Sequence, residues 1–218
     1  MNEKIVVCLP TFNESESIRE MIQQIRRTGY NLIVVDGYSS DNTREIAESE
    51  GIPVYSRAGR GKGYGVQKAI EIAASLKYEW IIFIDCDLTY KPEDIRTLTQ
   101  HMDKHDMVVG IRDFARINFS RRLVNIFFTK VVNLLFKGNL QDVHSGLRAL
   151  RIIKFKDYLD APGFEIETQI SIVALKHKLK IKQVLIAFSE RSRSKAGPLA
   201  AIPGIILIIK EYLQGVRH

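Results

Sequence analysis

Cysteine is scarce in this sequence: Cys8 and Cys86 are the only two among 218 residues. Both lie in or beside apolar runs that predict strands, so we expect no disulfide framework, and a reducing compartment fits. A chain of this length buries a sizeable hydrophobic core without such staples. We therefore expect an ordinary globular protein, built as one large domain or as one domain with a short appendage.

Long apolar runs are also missing, since a membrane-spanning helix needs about 20 apolar residues. The longest candidates are 123–136, which Lys130 interrupts, and 199–209, which contains Pro203-Gly204. Such segments either pack into a core or lie in a membrane interface beside basic residues. Both alternatives stay open for the first segment, whereas we expect the second to form an interfacial helix. No secretory signal is expected, because a short polar stretch leads straight into a predicted strand.

Acidic residues are outnumbered, since 32 Lys and Arg against 25 Asp and Glu give a net charge of +7. This modest excess suits an acidic substrate, a nucleic acid or an anionic membrane surface. Charge alone does not choose among these partners.

Apolar runs and helical periodicity alternate through the first half of the chain. Predicted strands cover residues 5–9, 32–35, 52–55, 80–84 and 107–109. Between them apolar residues recur at spacings of three and four, which predicts amphipathic helices. We expect Asn13 and Glu16 to cap the first helix, and Ser40 or Asp41 to cap the second. The alternation predicts an α/β fold with a doubly wound, mostly parallel sheet flanked by helices.

Polar clusters stand where the predicted strands end. They are Pro10–Glu14, Asp36 with Asp41, Arg60–Gly65, and Asp85 with Asp87. Because parallel strands open on one edge of a sheet, we expect these clusters to converge. An isolated Asp-x-Asp is as consistent with a solvated turn as with a site, but convergence favours a ligand site. Two close carboxylates suit a hard cation, Mg²⁺ or Mn²⁺, shared with substrate phosphates.

The glycine-rich segment 60–65 carries Arg60 and Lys62 and precedes a predicted helix. This arrangement fits an anion or a nucleotide that approaches the backbone closely, although a flexible turn is the alternative. The segment lacks the Lys-Ser/Thr pair of a Walker loop, and no glycine trio follows the first strand. A P-loop NTPase and a dinucleotide-binding dehydrogenase are therefore disfavoured.

Several of these clusters match a known pattern. The matching residues are Pro10-Thr11-Phe12-Asn13-Glu14, Val34-Val35-Asp36 with Ser39 and 41–43, and Asp85-x-Asp87. They resemble the family 2 glycosyltransferases of the A-type (GT-A) fold. Gly110-x-Arg112, Asp142-x-x-Ser145-Gly146, 163–165 and 191–195 are similar to motifs of the polyprenyl (dolichyl) phosphate hexose synthases. The resemblance covers about residues 4–198 and implies a nucleotide-diphospho-sugar transferase domain over 1–198, followed by a C-terminal membrane-interface helix over 199–218.

The resemblance implies roles for individual residues. In the donor site, Pro10, Phe12 and Glu14 would line the nucleotide pocket. Asp36 would lie near the base and Lys62 beside the nucleotide. Asp85 would lie at the ribose or the metal, and Asp87 would bind the metal that bridges the diphosphate. Arg112 and Arg121 would face an acceptor phosphate, and Arg191 or Arg193 with Lys195 would close over the donor diphosphate. We predict Asp87, Arg112, Arg121, Arg191 and Lys195 as the catalytic residues.

Two positions depart from the family pattern. Gly37 stands where a second Asp is common, which bears on recognition of the nucleotide base. Thr89 stands where a Gln often follows the Asp-x-Asp motif, which bears on coordination of the metal.

The predicted function is inverting transfer of a hexose from UDP- or GDP-hexose to a polyprenyl phosphate at the cytoplasmic face of a membrane. A divalent ion, Arg and Lys would stabilise the charge that develops on the leaving diphosphate. A phosphate acceptor is already largely dianionic at neutral pH, so it needs positioning rather than a general base. This accounts for the lack of an obvious base, for which His144 and Asp142 are the nearest candidates.

Three alternatives remain open at this point. A soluble or glycan hydroxyl acceptor would require a base, for which Asp142 is the candidate. A non-catalytic nucleic-acid or membrane-binding module gives no reason for carboxylates at strand ends, so we expect no nucleic-acid partner. A nucleotidyltransferase would share the metal chemistry but would carry a glycine-rich signature near the first strand.

Overall fold

The computed structural model describes residues 2–189 and 201–216. The described strands are β1 Ile5–Thr11, β2 Asn31–Asp36, β3 Val54–Ser56, β4 Trp80–Phe83, β5 Met107–Ile111, β6 Arg148–Arg151 and β7 Ile181–Leu185. The described α-helices are α1 Ile18–Arg26, α2 Thr43–Ser49, α3 Lys62–Ser75, α4 Asp94–Thr99, α5 Phe119–Phe136, α6 Ile166–Lys176 and α7 Ala201–Val216.

The strands form one sheet in the order β3-β2-β1-β4-β6-β5-β7. Of the strands in the described ranges, β6 runs antiparallel to both of its neighbours, while the other pairs are parallel. The predicted α/β fold with a mostly parallel sheet is confirmed. The carboxyl ends of β1, β2, β3 and β4 consequently open on one edge, which is where the predicted polar clusters lie.

Helices cover both faces of this sheet. Val7 and Leu9 of β1 pack into a cluster with α1, whereas Val6 and Cys8 point to the opposite face and pack with α3. Side chains on both faces of a central parallel strand are therefore buried, which explains why such strands form continuous apolar runs in the sequence.

The antiparallel strand β6 was not predicted, because it begins with a charged residue. Arg148 is nonetheless buried, and its guanidinium donates to the backbone oxygens of Ser145 (2.6 Å), Val143 (3.2 Å) and Glu167 (3.0 Å). These bonds meet the requirement that a buried charge be fully hydrogen-bonded. Arg148 thereby joins the loop before β6 to the first turn of α6.

The predicted start of the first helix is wrong. Asn13 does not cap α1, which begins at Ile18. Asn13 instead has a left-handed backbone (φ 52°), and its side-chain oxygen accepts the N–H of Ser40 at 2.8 Å. Its short polar side chain tolerates that backbone conformation, so Asn13 ties the loop after β1 to the loop after β2. Asp41 does serve the start of α2, where Oδ1 accepts the N–H of Thr43 at 3.0 Å.

Helices α5 and α7 pack beside α6, and each buries only one face. Phe128 and Val132 of α5 join Ile208 of α7 in a common apolar cluster. Pro203 and Gly204 do not interrupt α7, as they lie in its first turn, where proline is tolerated. A Cβ at position 204 would lie 2.7 Å from the Phe128 ring, so glycine permits this close approach. Within residues 2–189 and 201–216, each helix is too short or too polar to cross a bilayer.

We predict that Arg148→Ala lowers the free energy of unfolding by about 3 kcal/mol or more. The substitution removes the guanidinium donor from three buried carbonyl oxygens, of which those of Glu167 and Val143 keep only Ser171 Oγ within reach as a side-chain donor, and it opens a cavity. Urea unfolding followed by circular dichroism measures this difference. The control is Arg44→Ala, which removes a half-exposed arginine paired with Glu48 on α2 and should change stability by less than about 1 kcal/mol. Equal losses in the two variants would contradict this role for Arg148.

Candidate active site

A cleft of about 1720 Å³ opens at the carboxyl ends of β1 to β4. The predicted site residues that line it are Pro10, Phe12, Glu14, Lys62, Asp85, Asp87, Arg112 and Arg121. The expectation that the strand-end clusters converge is therefore confirmed, although the role of each residue stays a prediction. Arg191, Arg193 and Lys195 lie outside the described residues.

Asp36 has a different position from the one expected of a base-contacting group. Its carboxylate is turned inward, with the residue only 2% exposed. Oδ1 accepts the hydroxyls of Thr11 (3.2 Å) and Ser39 (2.6 Å), and Oδ2 accepts the N–H of Ser39 (3.0 Å). Asp36 therefore fixes the loop after β2 from behind, and the cleft at this point is lined by Gly37 and Tyr38.

The glycines of segment 60–65 allow it to pack tightly against the backbone that precedes α6. A Cβ at Gly61 would lie 2.2 Å from the carbonyl oxygen of Pro162, and one at Gly63 would lie 1.8 Å from that of Ala161. Gly61 also has a φ of 129°, which favours glycine. The segment is thus a tightly packed helix start, with Gly61 as the N-cap of α3, and it presents Lys62 to the cleft.

Lys62 bridges two carboxylates at the floor of the cleft. Its Nζ lies 2.5 Å from Oδ1 of Asp85 and 2.5 Å from Oε1 of Glu167. Burial lowers the pKa of this ammonium, but the two carboxylates outweigh burial and hold the pKa above its ordinary value. Lys62 therefore stays charged and fixes the position of Asp85. Glu167 supplies the second carboxylate from the first turn of α6.

Asp87 lies two residues beyond Asp85, in surroundings that have an excess of negative charge. Burial raises the pKa of its carboxyl, and the charges of Asp85 and Glu14 raise it further. The hydroxyl (2.6 Å) and N–H (3.2 Å) of Thr89 donate to Oδ1 and oppose that rise. Thr89 thus orients Asp87.

The carboxylate pair fits a divalent cation. Proteins often give Mg²⁺ one or two carboxylates and leave its remaining positions to substrate phosphates and water. Excess negative charge in a partly buried place favours such an ion. Throughout the described part of the chain, there is no group of three or more His, Cys, Asp or Glu side chains placed to hold a metal. The candidate ligands are Asp85 and Asp87.

Gly146 leaves the space that Asp85 occupies. A Cβ at this position would lie 2.1 Å from Oδ2 of Asp85, and the N–H of Gly146 donates to the hydroxyl of Tyr90 at 2.8 Å. Position 146 of the Ser145-Gly146 motif therefore has to be glycine, because the charged side chain of Asp85 approaches it from the end of β4.

Arg112, at the end of β5, is held by a two-point ion pair. Its Nε lies 2.7 Å from Oδ2 of Asp142, and its Nη2 lies 2.9 Å from Oδ1. Burial raises the pKa of Asp142, but Arg112 outweighs burial and keeps the carboxyl ionised. The ring of Phe188 lies 5.4 Å from the guanidinium carbon. Asp142 is thus a fixed partner of Arg112, which limits its use as a general base.

His144 is engaged at both ring nitrogens. Nδ1 lies 2.8 Å from Oδ1 of Asn125, and Nε2 lies 3.1 Å from Oγ1 of Thr168. Burial, followed by the charge of Arg112, lowers the pKa of His144 to about 4. The ring is therefore neutral near pH 7 and links α5 to α6, which is a structural role.

Arg57 lines the cleft and was not identified from the sequence. It directly follows β3, and a charged residue after a strand was the signal that identified the other clusters. The predicted third strand ends at Tyr55, whereas the polar cluster assigned to its end, Arg60–Gly65, begins five residues later. The same criterion, applied to this strand, would have identified Arg57.

Comparison with known proteins gives a consistent result. The family model described as glycosyl transferase family 2 matches residues 6–159. "Glycosyltransferase AglJ" of Haloferax volcanii is 30% identical over 199 residues, which cover 87% of this chain and 64% of that protein. A Methanococcus voltae protein, "UDP-N-acetylglucosamine–dolichyl-phosphate N-acetylglucosaminyltransferase", is 26% identical over 85% of this chain and 86% of its own length.

The fold comparison agrees. A crystal structure of glucosyl-3-phosphoglycerate synthase from Mycobacterium tuberculosis, in complex with Mn²⁺, UDP-glucose and phosphoglyceric acid, superposes with a TM-score of 0.79 at 22% identity. The match covers 96% of this chain and 79% of that one. At this identity the likeness establishes the fold.

We predict that His144 titrates with a pKa of about 4 in the folded protein. The unfolded chain binds this proton near pH 6.5, so the contribution of His144 to stability is complete above about pH 6.5 and is lost as the pH falls towards 4. NMR titration of the histidine ring protons measures the pKa, and His144→Gln identifies the signal by its disappearance. A midpoint near 6.5 for that signal would contradict the buried, neutral ring.

Proposed function

This chain belongs to glycosyl transferase family 2, and we propose that it transfers a hexose from a nucleotide donor, UDP- or GDP-hexose, to a polyprenyl phosphate. Transfer inverts the sugar, uses Mg²⁺ or Mn²⁺, and takes place at the cytoplasmic face of a membrane. One observation carries the proposal: the cleft that contains Asp85 and Asp87 is also lined by Val124 and Phe128 of α5 and by Gly204 of α7. The charged floor is thereby continuous with the two helices that expose apolar side chains.

The donor diphosphate belongs at the carboxylate pair. Asp87 and Asp85 would hold the divalent ion, which neutralises the charge that develops on the leaving diphosphate. Lys62 and Thr89 orient these two carboxylates before the donor arrives. Such preorganisation is the largest contribution that a site of this kind makes to the rate.

The acceptor phosphate belongs beside Arg112 and Arg121, which both line the cleft. Asp142 holds the Arg112 guanidinium in a fixed plane, which suits bidentate binding of a phosphate. The two nearest base candidates, Asp142 and His144, are already engaged by Arg112 and by Asn125 with Thr168. An acceptor that is ionised without help is therefore favoured over a hydroxyl acceptor, which needs a base.

Helices α5 and α7 together expose what we call the α5–α7 apolar surface. Its members are Phe119, Leu123, Val124, Phe127, Ile202, Ile205, Ile206, Ile209 and Leu213. Exposed apolar patches of this kind mark docking surfaces, and Arg121 and Arg122 lie in the first turns of α5. Apolar side chains beside basic ones suit the interface of an anionic bilayer. We take the bilayer as the occupant, because a polyprenyl chain enters the cleft from there.

The similar Methanococcus voltae protein is named for transfer to dolichyl phosphate, which supports this choice of acceptor. The similar Mycobacterium tuberculosis structure contains a soluble acid. The alternative is a family 2 enzyme that glycosylates a soluble or glycan hydroxyl, and the assay below separates the two.

We predict that a radiolabelled sugar passes to a butanol-extractable lipid when polyprenyl phosphate is supplied. The donors to compare are UDP-glucose, GDP-mannose and UDP-N-acetylglucosamine, and the anomer of the product tests inversion. Label that reaches a soluble or glycan acceptor, while none reaches the lipid under any donor, would overturn the lipid-phosphate proposal.

We predict that EDTA abolishes this transfer and that Mg²⁺ or Mn²⁺ restores it. Asp87→Ala should lower kcat/KM by about a hundredfold or more, because it removes a ligand of the ion that stabilises the leaving diphosphate. Asp103→Ala is the control, since Asp103 is an exposed acid at the opposite edge of the sheet. Full activity in EDTA would contradict the metal requirement.

We predict that Ile206→Asp combined with Ile209→Asp reduces flotation with anionic liposomes at least severalfold. Both side chains are exposed, so the fold is retained, whereas charges in the bilayer interface are costly. The matched control is Leu76→Asp combined with Ile153→Asp, because both residues are exposed and lie outside this surface. Equal flotation of both double variants would argue against membrane docking through α7.

A further inference from the structure

Arg57 lies in the same cleft as the carboxylate pair, at the end formed by β2 and β3. Its Nη2 donates to the carbonyl oxygen of Gly37 at 3.0 Å, and its Nη1 donates to that of Gly61 at 2.8 Å. The residue is only 8% exposed. Two backbone carbonyls therefore fix the guanidinium in one orientation, between the loop after β2 and the glycine-rich segment.

Gly37 is what allows this placement. A Cβ at position 37 would lie 2.4 Å from Cζ of Arg57 and 2.5 Å from Nη2. The contact involves the inner part of a guanidinium that two carbonyls hold, so it offers little room to yield. A side chain at position 37 and the observed position of Arg57 exclude each other. Gly37 and Arg57 thus form a matched pair.

The pair places a donor at the end of the cleft where the sequence predicted an acceptor. Asp36, the acceptor that the sequence placed near the base, is turned inward and bound to Thr11 and Ser39. Nε of Arg57 is buried and has no hydrogen-bond partner within the described ranges. An unmet buried donor costs about 1–3 kcal/mol. Because Nε itself is closed off from solvent, a ligand would meet the part of the Arg57 guanidinium that lines the cleft.

A flat ligand suits the space next to this donor. The ring of Phe12 lines the cleft, is 45% exposed, and has its centroid 5.5 Å from Cζ of Arg57. Tyr38 adds a second exposed aromatic ring to the same wall. Exposed aromatic side chains offer a stacking surface to a nucleobase.

We propose that Arg57 is a specificity-determining residue, which selects a donor whose base presents a ring carbonyl and rejects a base that presents an amino group there. Uracil and guanine belong to the first class, and cytosine and adenine to the second. A carbonyl oxygen accepts from the guanidinium, whereas an amino group sets donor against donor and leaves Arg57 unpaired. This inference rests on the proposed use of a nucleotide-sugar donor and names the group of the base that Arg57 recognises.

Calorimetric binding of four nucleotides to the full chain, with Mg²⁺ present, tests the inference. UDP and CDP differ chiefly in a carbonyl or an amino group at one ring position, so they are a matched pair. GDP and ADP are the corresponding purine pair, which differs in addition by the 2-amino group of guanine. We expect UDP to bind at least about tenfold more tightly than CDP, or GDP than ADP, the factor that one unmet buried hydrogen bond gives. If UDP binds more tightly than CDP, the base is a pyrimidine. If GDP binds more tightly than ADP, the base is a purine.

Two variants assign this preference to Arg57. Arg57→Ala should reduce the ratio of keto to amino affinity to within about twofold. Gly37→Ala should do the same while it keeps the positive charge, because the new methyl group displaces the guanidinium. Arg44→Ala, which removes a half-exposed arginine outside the cleft, should preserve the ratio. Thermal melts establish that each variant is folded.

The outcomes are distinguishable. Equal binding of keto and amino nucleotides by the unaltered protein would overturn the role of Arg57 and leave the proposed transferase function standing. An unchanged ratio in folded Arg57→Ala or Gly37→Ala would also overturn it. If none of the four nucleotides binds, the proposed function fails together with this inference.

Discussion

The ammonium of Lys62 is the interaction on which the cleft depends. It joins the glycine-rich segment, the end of β4 through Asp85, and the first turn of α6 through Glu167. Without this cation, two partly buried carboxylates would face each other, and each would be costly to keep ionised. Gly61 and Gly63 allow the approach by packing against 161–162, and Gly146 leaves room for Asp85. Three glycines from two parts of the chain therefore make room for the two ion pairs of Lys62.

The remaining charges of the cleft follow a similar logic. Arg112 and Asp142 neutralise each other, and His144 is neutral between Asn125 and Thr168. Asp87 differs, since its neighbours Asp85 and Glu14 add negative charge. A cation, together with the diphosphate that it binds, would therefore be stabilised most at Asp87, where the protein leaves negative charge uncompensated. The polar groups are arranged for electrostatic stabilisation rather than for proton transfer.

Apolar surface is distributed in two ways. Around the sheet it is buried on both faces, whereas on α5 and α7 one face packs beside α6 and the other remains exposed. Segment 123–136, for which the sequence left open a core helix or an interfacial one, therefore has one packed face and one exposed face, and its interfacial role stays a prediction. An amphipathic helix that lies over a charged cleft joins an apolar surface to a polar one over a short distance, which suits an amphiphilic acceptor.

Local pattern by itself determined much of this protein. The apolar runs specified β1, β2, β4 and β5, because a central strand must be apolar on both faces, and the polar residues that follow them specified the edge on which the cleft lies. Only the tertiary structure decided β6, whose first residue Arg148 is charged yet buried, because its guanidinium donates to the carbonyl oxygens of nearby Ser145 and Val143 and to that of Glu167, 19 residues away. It also turned Asp36 inward and placed Arg57 over Gly37. These features depend on contacts between residues far apart in the chain, which no local pattern of hydrophobicity records.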